Sequence, residues 1–222
     1  MLITGFPTGV LACNCYVFAA HAGADAVIVD PGQSASARLQ RILDEHRLTP
    51  AAVLLTHGHI DHMWSAQKVA DRYGCPVYIH PADRAMLTDP VQGLTSGGLW
   101  GTLGRLTLGA VFSEPRQLVE LRTDGQVLDL GGIRVSVDHT PGHTRGSVCF
   151  RTQGQVFTGD TLFQGSVGRT DLPGGSGNSL IDSIMTKLMV LDDDTVILPG
   201  HGPRSTIGIE RRTNPFLEGL VL

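Results

Sequence analysis

The sequence has little charge of either sign and no run of like charges. Charged residues make up only 17% of the chain, and the formal net charge is −4. Because proteins that bind nucleic acid through its phosphates present a basic face, we expect no nucleic-acid partner. The hydrophobic fraction of 41% is that of an ordinary folded protein, which argues against extensive disorder.

Long apolar runs are also absent. No stretch approaches the roughly 18 apolar residues that a helix needs to cross a bilayer. The amino-terminal residues 1–7 lack the basic region and the apolar core of a signal peptide. We therefore expect a cytoplasmic protein with no membrane partner, and the sequence leaves its oligomeric state open.

Cysteine is scarce, with only four residues in the chain. Their scattered positions (Cys13, Cys15, Cys75 and Cys149) predict reduced, buried side chains and no disulfide framework. Cys13 and Cys15 form a C-x-C pair of the kind that can bind a metal ion. Because no partner pair or nearby histidine completes such a site, we favour a structural role for both.

Four side chains of the types that bind metal ions stand close together, directly after an apolar run. The run 51–55 predicts a buried strand, and the loop after it contains His57, His59, Asp61 and His62. Since side chains alternate along an extended segment, His57 and His59 point to the same side and can share one cation. Asp61 and His62 are adjacent, which favours a second cation or a catalytic role. The alternative is an exposed polar turn before a helix, with Asp61 as its cap.

The first part of the chain alternates predicted strands and helices. In chain order these are strands at 15–20 and 26–30, a helix at 34–46, a strand at 51–55, a helix at 61–73 and a strand at 76–80. Ser34 or Ser36 caps the first helix, and Gly74 ends the second. Asp30, at the end of the second strand, is either a turn residue or an acceptor that reaches the metal loop. Such an order predicts a layered α/β protein.

Three strand-like runs in the second half each end near another polar site. Strands at 134–140, 155–158 and 195–198 precede His143, Asp160 and His201, respectively. A hairpin at 125–137 turns at Gly131-Gly132, and a helix is predicted at 179–191. With the loop at 57–62 these residues make five histidines and two aspartates. Seven ligands are too many for one ion and suit two borderline cations such as zinc, with a bridging carboxylate.

These motifs resemble those of the metallo-β-lactamase-fold hydrolases over nearly the whole chain. The matching segments are Asn14-Cys15-Tyr16, Asp30-Pro31-Gly32, the H-x-H-x-D-H loop at 57–62, Thr140-Pro141-Gly142-His143-Thr144, Gly159-Asp160 and Pro199-Gly200-His201-Gly202. Within that family the chain is most similar to the glyoxalase II branch, the hydroxyacylglutathione hydrolases, and to its short bacterial members. The resemblance implies one domain over residues 1–222, folded as a four-layer αββα sandwich of two mixed β-sheets flanked by helices.

The resemblance also implies a ligand set for two divalent metal ions. It assigns His57, His59 and His143 to the first ion, Asp61, His62 and His201 to the second, and Asp160 to a bridge between them. Zinc is the expected metal, with iron or manganese as alternatives. Asp61 would also be catalytic, since it would orient the attacking water or take its proton.

The loop at 159–171 resembles the glyoxalase II and persulfide dioxygenase branches, which implies that Arg169 lies near the carboxylate of a bound thiol. The alternative is a structural arginine that bonds loop carbonyls or Asp171. Phe163, in the same loop, is a second candidate for substrate binding. The glycine-rich segment at 90–114 is either a lid over the site or a cover for the core.

The expected reaction is hydrolysis of a small acyl-thiol substrate, an S-2-hydroxyacyl thiol, to a 2-hydroxy acid and a thiol. Only about twenty residues follow His201, too few for the helical extension that binds glutathione in full-length glyoxalase II enzymes. The thiol part of the substrate therefore stays open. Alternatives are a persulfide dioxygenase with a single iron, a lactonase or β-lactamase, and a non-enzymatic binding protein, which an intact ligand set argues against.

Overall fold

The computed structural model describes residues 1–95 and 112–220, which form two six-stranded mixed β-sheets and a small hairpin. In spatial order the first sheet contains β1 (Leu2–Thr8), β2 (Cys13–Ala19), β3 (Asp25–Val29), β4 (Thr49–Leu54), β5 (Val77–Ile79) and β6 (Leu118–Glu120). Strands β1 to β3 pair antiparallel, and β3 to β6 pair parallel. The first sheet is therefore a parallel sheet extended by an antiparallel edge.

The second sheet is mainly antiparallel. In spatial order it contains β7 (Val127–Leu130), β8 (Ile133–His139), β9 (Val148–Thr152), β10 (Gln155–Gly159), β13 (Val196–Pro199) and β14 (Ser205–Thr206). Only β10 and β13 are parallel neighbours. The hairpin of β11 (Leu162–Phe163) and β12 (Ser166–Val167) follows β10 in the chain.

Within residues 1–95 and 112–220, five α-helices accompany the sheets: α1 (Ala35–His46), α2 (Ile60–Met63), α3 (Ala66–Tyr73), α4 (Gly177–Ser183) and α5 (Ile207–Thr213). Helices α1 and α3 pack on the outer face of the first sheet. Helix α4 and the π-helical turn after it (Ile184–Leu188) pack on the outer face of the second. The predicted four-layer αββα sandwich is confirmed. None of the helices in the described ranges is long and apolar enough to cross a membrane.

Each sheet is covered on both faces, which explains apolar runs that do not alternate with polar residues. In β3, Val27 belongs to the core between the sheets, and its neighbour Ile28 belongs to the core under α1 and α3. Phe18 on β2 stacks on Phe157 of β10, with ring centroids 5.1 Å apart. Burying such side chains contributes about 1.5–3 kcal/mol each, so the inter-sheet core holds the two sheets together.

The predicted hairpin at Gly131-Gly132 is confirmed. Both glycines have positive φ angles, 59° and 74°, which the two central residues of a tight type I′ turn require. The residues of the glycine-rich segment at 90–114 that would decide between a lid and a cover, 96–111, lie outside the described residues.

Among the local features that differ from the sequence expectation, three concern the first sheet and its helices. Strand β1 is not predicted, because Gly5 and Pro7 interrupt its apolar pattern; at the edge of a sheet both residues are tolerated. The helix expected at 61–73 is broken, because Ser65 bonds the turn at Pro31-Gly32 through its backbone and its hydroxyl. Ser34 begins α1 in a left-handed conformation and makes no side-chain cap bond.

Candidate metal centre

Loops from both sheets bring the seven predicted ligands together at one edge of the sandwich. The loop after β4 and helix α2 supply four of them, and the loops after β8, β10 and β13 supply three: His57, His59, Asp61 and His62 from the first sheet, and His143, Asp160 and His201 from the second. Strands β8, β10 and β13 run in the same direction, so their carboxyl ends meet at this edge. That shared direction places three distant sequence motifs side by side.

The first cluster consists of three buried histidines, His57, His59 and His143. One nitrogen from each ring lies within 4.8 Å of the others. Nε2 of His143 is 2.8 Å from Nδ1 of His59, and Nε2 of His57 has no hydrogen-bond partner among the described residues. Three imidazoles that turn nitrogen atoms toward one point form a ligand set typical of a zinc site.

The second cluster consists of Asp61, His62 and His201. Nε2 of His201 lies 3.2 Å from Oδ2 of Asp61 and 3.3 Å from Nε2 of His62. This cluster is more open than the first, since the side chain of His201 is 28% exposed. A small molecule that enters the centre can therefore reach the second cluster from solvent.

Asp160 lies between the two clusters and reaches both. Its Oδ1 is 3.3 Å from Nε2 of His62, and its Oδ2 is 3.5 Å from Nε2 of His143 and 3.6 Å from Nε2 of His201. One carboxylate with an oxygen atom toward each cluster has the geometry of a bridging ligand. A second connection comes from His57, which also groups with His62 and Asp160.

Hydrogen bonds on the outer side of the rings select the nitrogen atoms that face the centre. Three histidines have their Nδ1 against an oxygen acceptor: His62 at 2.9 Å from Oδ2 of Asp30, His143 at 2.7 Å from the carbonyl of Arg169, and His201 at 3.0 Å from the carbonyl of Leu11. Because these oxygens only accept, each Nδ1 carries the proton and each Nε2 is available inward. Buried Nε2 of His57 and Oδ1 of Asp160 lack hydrogen-bond partners within the described ranges. These residues fit divalent metal ions.

Histidines of the two clusters differ in the direction in which their pKa is shifted. Burial and the neighbouring His62 and His143 rings lower the pKa of His57, and burial with His143 lowers the pKa of His59 to about 4. For His201, burial lowers the pKa, but the hydrogen bond with Asp61 and the charge of Asp160 outweigh it and raise the value. His57 and His59 are therefore neutral at pH 7 and prepared for a cation.

Carboxylates near the second cluster have the opposite effect on His62. Burial lowers its pKa, but the Cys13 thiol, Asp160 and Asp30 outweigh burial and raise that pKa above its usual range. Burial likewise raises the pKa of Asp160, yet the surrounding imidazoles, His62 first, lower it well below its usual range. The carboxylates around His62 thus favour a positive charge at the position that a metal ion would take.

Hydrogen bonds connect Asp30 to both clusters. Of the two roles considered for it, a turn residue or an acceptor that reaches the metal loop, the acceptor role is confirmed. It is buried, and its two oxygens accept hydrogen bonds from the backbone N–H of Thr56 at 2.8 Å and the Thr56 hydroxyl at 2.7 Å, in addition to His62. The Thr56 oxygen lies 3.0 Å from Nδ1 of His57. Asp30 therefore orients one histidine directly and another through Thr56.

Asp83 is a buried carboxylate that the sequence reasoning missed. It accepts hydrogen bonds from the backbone N–H of Gly58 at 3.0 Å, the Thr144 hydroxyl at 2.6 Å and the backbone N–H of Gly146 at 2.8 Å. A Cβ atom at Gly146 would lie 2.6 Å from Cγ of Asp83, so only glycine permits this approach. Asp83 joins the two loops that carry the first cluster. The sequence feature that could have indicated this role is its position shortly after the strand β5.

The loop that carries His201 is fixed by strand β2. The Asn14 amide donates to the carbonyls of Pro199 and Gly202 at 3.0 and 2.9 Å, and the Tyr16 hydroxyl donates to Pro199 at 2.9 Å. The Asn14-Cys15-Tyr16 motif thus connects the first sheet to a ligand loop of the second. Cys15 itself is buried in the core under the helices.

Arg169 and Phe163 lie beside the centre on the loop after β10. The guanidinium of Arg169 bonds both carboxylate oxygens of Asp171, at 2.8 and 2.7 Å, and is largely exposed. The ring of Phe163 lies 6.2 Å from that of His201, edge to face. Of Arg169 only the backbone carbonyl contacts a predicted ligand, His143, and the roles of both side chains in substrate binding stay predictions.

Comparison with known proteins gives the family. The profile of the metallo-β-lactamase superfamily matches residues 8–201. The Mycobacterium tuberculosis protein Rv2581c is 65% identical over 99% of both chains. The Haemophilus influenzae hydroxyacylglutathione hydrolase GloC is 37% identical over 87% of both chains.

Solved structures agree with this assignment. The BLEG-1 B3 metallo-β-lactamase superposes with a TM-score of 0.85 and 40% identity, covering 98% of this chain and 100% of its own. The di-iron-bound form of TTHA1623 superposes with a TM-score of 0.78 and 35% identity, covering 96% of this chain and 100% of its own. The chain belongs to the metallo-β-lactamase superfamily of metal-dependent hydrolases.

Proposed function

We propose that the protein is a binuclear hydrolase of thioesters, which converts an S-2-hydroxyacyl thiol to a 2-hydroxy acid and a thiol. The observation that carries the proposal is the pair of ligand clusters with Asp160 between them. Similarity to GloC, a hydroxyacylglutathione hydrolase by name, supports a thioester as the bond that is cleaved.

The chemistry requires an activated water and a way to stabilise negative charge on the acyl oxygen. Two divalent cations, expected to be zinc, would supply both by lowering the pKa of water and by offsetting that charge. Asp61 would orient the water or take its proton. Burial raises the pKa of Asp61, but the hydrogen bond with His201 and the charge of His62 outweigh burial and lower it. Asp61 is therefore ionised at neutral pH and, as a weak base, better suited to orient the water than to take its proton.

Arg169 would bind a carboxylate of the thiol. Its present partner, Asp171, shows that the guanidinium accommodates a bidentate carboxylate. Because exposed ion pairs are weak, a substrate carboxylate can replace Asp171. The backbone carbonyl of Arg169 also accepts a hydrogen bond from His143. A substrate bound by this loop would therefore lie next to the first cluster.

The leaving group favours a thioester over an amide. A thiol has a pKa of about 8.5 and leaves as an anion without protonation, whereas an amine needs a proton donor. A β-lactam is the second candidate substrate, since the chain is similar in structure to the BLEG-1 B3 metallo-β-lactamase. Its ring nitrogen would have to receive a proton as the bond breaks.

A substrate panel tests the proposal. Purified protein, loaded separately with zinc, manganese or iron(II), is assayed with 2-hydroxyacyl thioesters of glutathione and of other small thiols, and with a lactone and a β-lactam. We expect the highest kcat/KM for a thioester. Faster cleavage of the β-lactam would support the second candidate, and no cleavage of any thioester above the buffer rate would contradict the proposal.

A further inference from the structure

Two strongly exposed apolar side chains stand next to the candidate metal centre. Val10 and Leu11 are 91% and 59% exposed, and they form the tip of the turn between β1 and β2. Large apolar side chains grouped on a surface mark binding sites more often than single ones do. The backbone carbonyl of Leu11 contacts His201. Because the two side chains therefore lie beside the centre, a substrate is the first molecule to consider as their binding partner.

The turn that carries these side chains is held in a defined conformation. The carbonyl of Leu11 accepts the Nδ1–H of His201 at 3.0 Å, and the backbone N–H of Ala12 donates to the carbonyl of Gly9 at 3.4 Å. Gly9 has a φ of +63°, and a Cβ atom there would lie 2.8 Å from Cβ of Gln33. The backbone that carries Val10 and Leu11 therefore stays fixed to a predicted metal ligand.

A small cavity lies under this turn and reaches the centre. Its apolar walls are Val10, Leu11, Ile60 and Trp64, and Asp61 is the one charged residue among the described residues that line it. Its volume is about 160 Å³, close to the ~150 Å³ of an apolar protein cavity that accepts benzene. An apolar group of about six carbon atoms would fill it.

We propose that this cavity, termed the acyl pocket, binds the apolar acyl group of the substrate. The inference rests on the proposed thioesterase function and adds a substrate class to it. The thiol side is assigned to Arg169, whose carbonyl contacts His143 of the first cluster. The acyl pocket adjoins Asp61 and His201 of the second cluster. A thioester that spans the centre therefore has its thiol at one cluster and its acyl chain at the other.

The acyl pocket predicts a particular dependence on chain length. Each methylene group transferred from water to an apolar site increases binding about fourfold. In a series of acyl thioesters of one thiol, kcat/KM should rise by about that factor per methylene. The rise should stop at about six carbons, where the cavity is full.

The experiment compares this series in the metal-loaded wild-type protein and in a Val10→Ser, Leu11→Ser double variant. Both side chains are exposed, so folding and metal content should not change. The matched control is Val190→Ser, at an apolar residue that is 70% exposed and lines a different cavity. We expect the double variant to lose most of the chain-length dependence and the control to keep it.

A second measurement does not depend on turnover. Binding of the corresponding straight-chain carboxylic acids to the zinc-loaded protein is measured by calorimetry, again in all three proteins. If no thioester is cleaved but acid binding follows chain length and the double variant abolishes that trend, the acyl pocket stands and the thioesterase function fails. If thioesters are cleaved with no dependence on chain length, the pocket is wrong and the function stands.

Self-association of the turn is the competing explanation for its exposed side chains. Sedimentation of the wild-type protein and the double variant separates the two cases. A wild-type dimer that becomes a monomer in the double variant, with an unchanged chain-length series, would overturn the proposal and identify the turn as a contact between copies. If the double variant keeps the oligomeric state of the wild-type protein and its kcat/KM no longer rises with acyl chain length, the result supports the acyl pocket.

Discussion

The Nδ1–H group of His62 donates a hydrogen bond of 2.9 Å to Oδ2 of Asp30, a carboxylate with only 1% of its surface exposed. The same oxygen accepts the hydroxyl of Thr56, whose oxygen in turn faces Nδ1 of His57. One buried carboxylate thus orients a histidine of each cluster. Acceptors of this kind fix the tautomer and the direction of a ligand ring.

Replacing Asp30 by Asn should weaken both metal sites. The carboxylate accepts from three donors on its two oxygens, so in either orientation the amide NH₂ of Asn would face another donor. We expect metal affinity to fall by about 10- to 100-fold, measured by competition with a chromophoric chelator. The control is Asp138→Asn, which alters a buried carboxylate paired with Arg151. An unchanged affinity in Asp30→Asn would remove Asp30 from the account of the centre.

Replacing Asp83 by Asn should affect the first cluster more than the second. Asp83 contacts Gly58, Thr144 and Gly146, which belong to the loops of His57, His59 and His143. A buried donor without an acceptor costs about 1–3 kcal/mol of stability. Here the loops that lose their hydrogen bonds would shift, and these loops carry the ligands of one site. We expect one metal ion to be retained with near wild-type affinity and the other to be bound more weakly, in a calorimetric titration of metal-free protein.

Glu210 provides the matched control for Asp83. It is also fully buried and accepts three hydrogen bonds, from Gly165, Ser205 and Asn214. Glu210→Gln should lower the free energy of unfolding by a similar amount while both metal affinities stay unchanged. Equal metal losses in both variants would mean that Asp83 acts through general stability and not through the ligand loops.

Acidification should release the metal of the second cluster first. A metal ligand must be unprotonated, and the pKa values of His62 and His201 are raised while those of His57 and His59 are lowered. As the pH falls through the raised values, protons displace the second ion while His57 and His59 remain neutral. Metal content after dialysis at about pH 5.5 should be lower than at about pH 7.5. Loss of both ions in a single step would contradict this order.

Removing Asp160 should abolish the binuclear centre. In Asp160→Ala the oxygen atoms that face His62, His143 and His201 are lost, so no carboxylate would bridge the two clusters. We expect at most one tightly bound metal ion per chain and thioester hydrolysis close to the buffer rate. Activity near the wild-type level would show that the bridging role is wrong.

Local sequence patterns indicate a layered α/β protein and which residues gather at the centre, whereas the four-layer sandwich is what the resemblance to the metallo-β-lactamase-fold hydrolases implies. Apolar runs predict strands, and each polar residue that follows a strand of common direction must lie at the same edge of the sandwich. The outcome for Asp30 could not be decided in this way, since a turn residue and a buried acceptor have the same sequence pattern. Only the folded position of Thr56 and His62 separates the two.

Other contacts leave no trace in residue type. His201 and His143 bond the backbone carbonyls of Leu11 and Arg169, and any residue at those positions supplies a carbonyl. Helix α3 begins at Ala66 because the chain folds back on the turn at Pro31, a contact between distant segments. Such features depend on tertiary geometry and become visible only in the structure.

The most direct test of a binuclear centre is the metal content of the purified protein, measured by elemental analysis and followed through chelation and reloading. We predict two divalent ions per chain, expected to be zinc, whose removal abolishes thioester hydrolysis and whose return restores it. A single ion per chain in a fully active protein would contradict the account. If that ion is iron, the persulfide dioxygenase alternative takes its place.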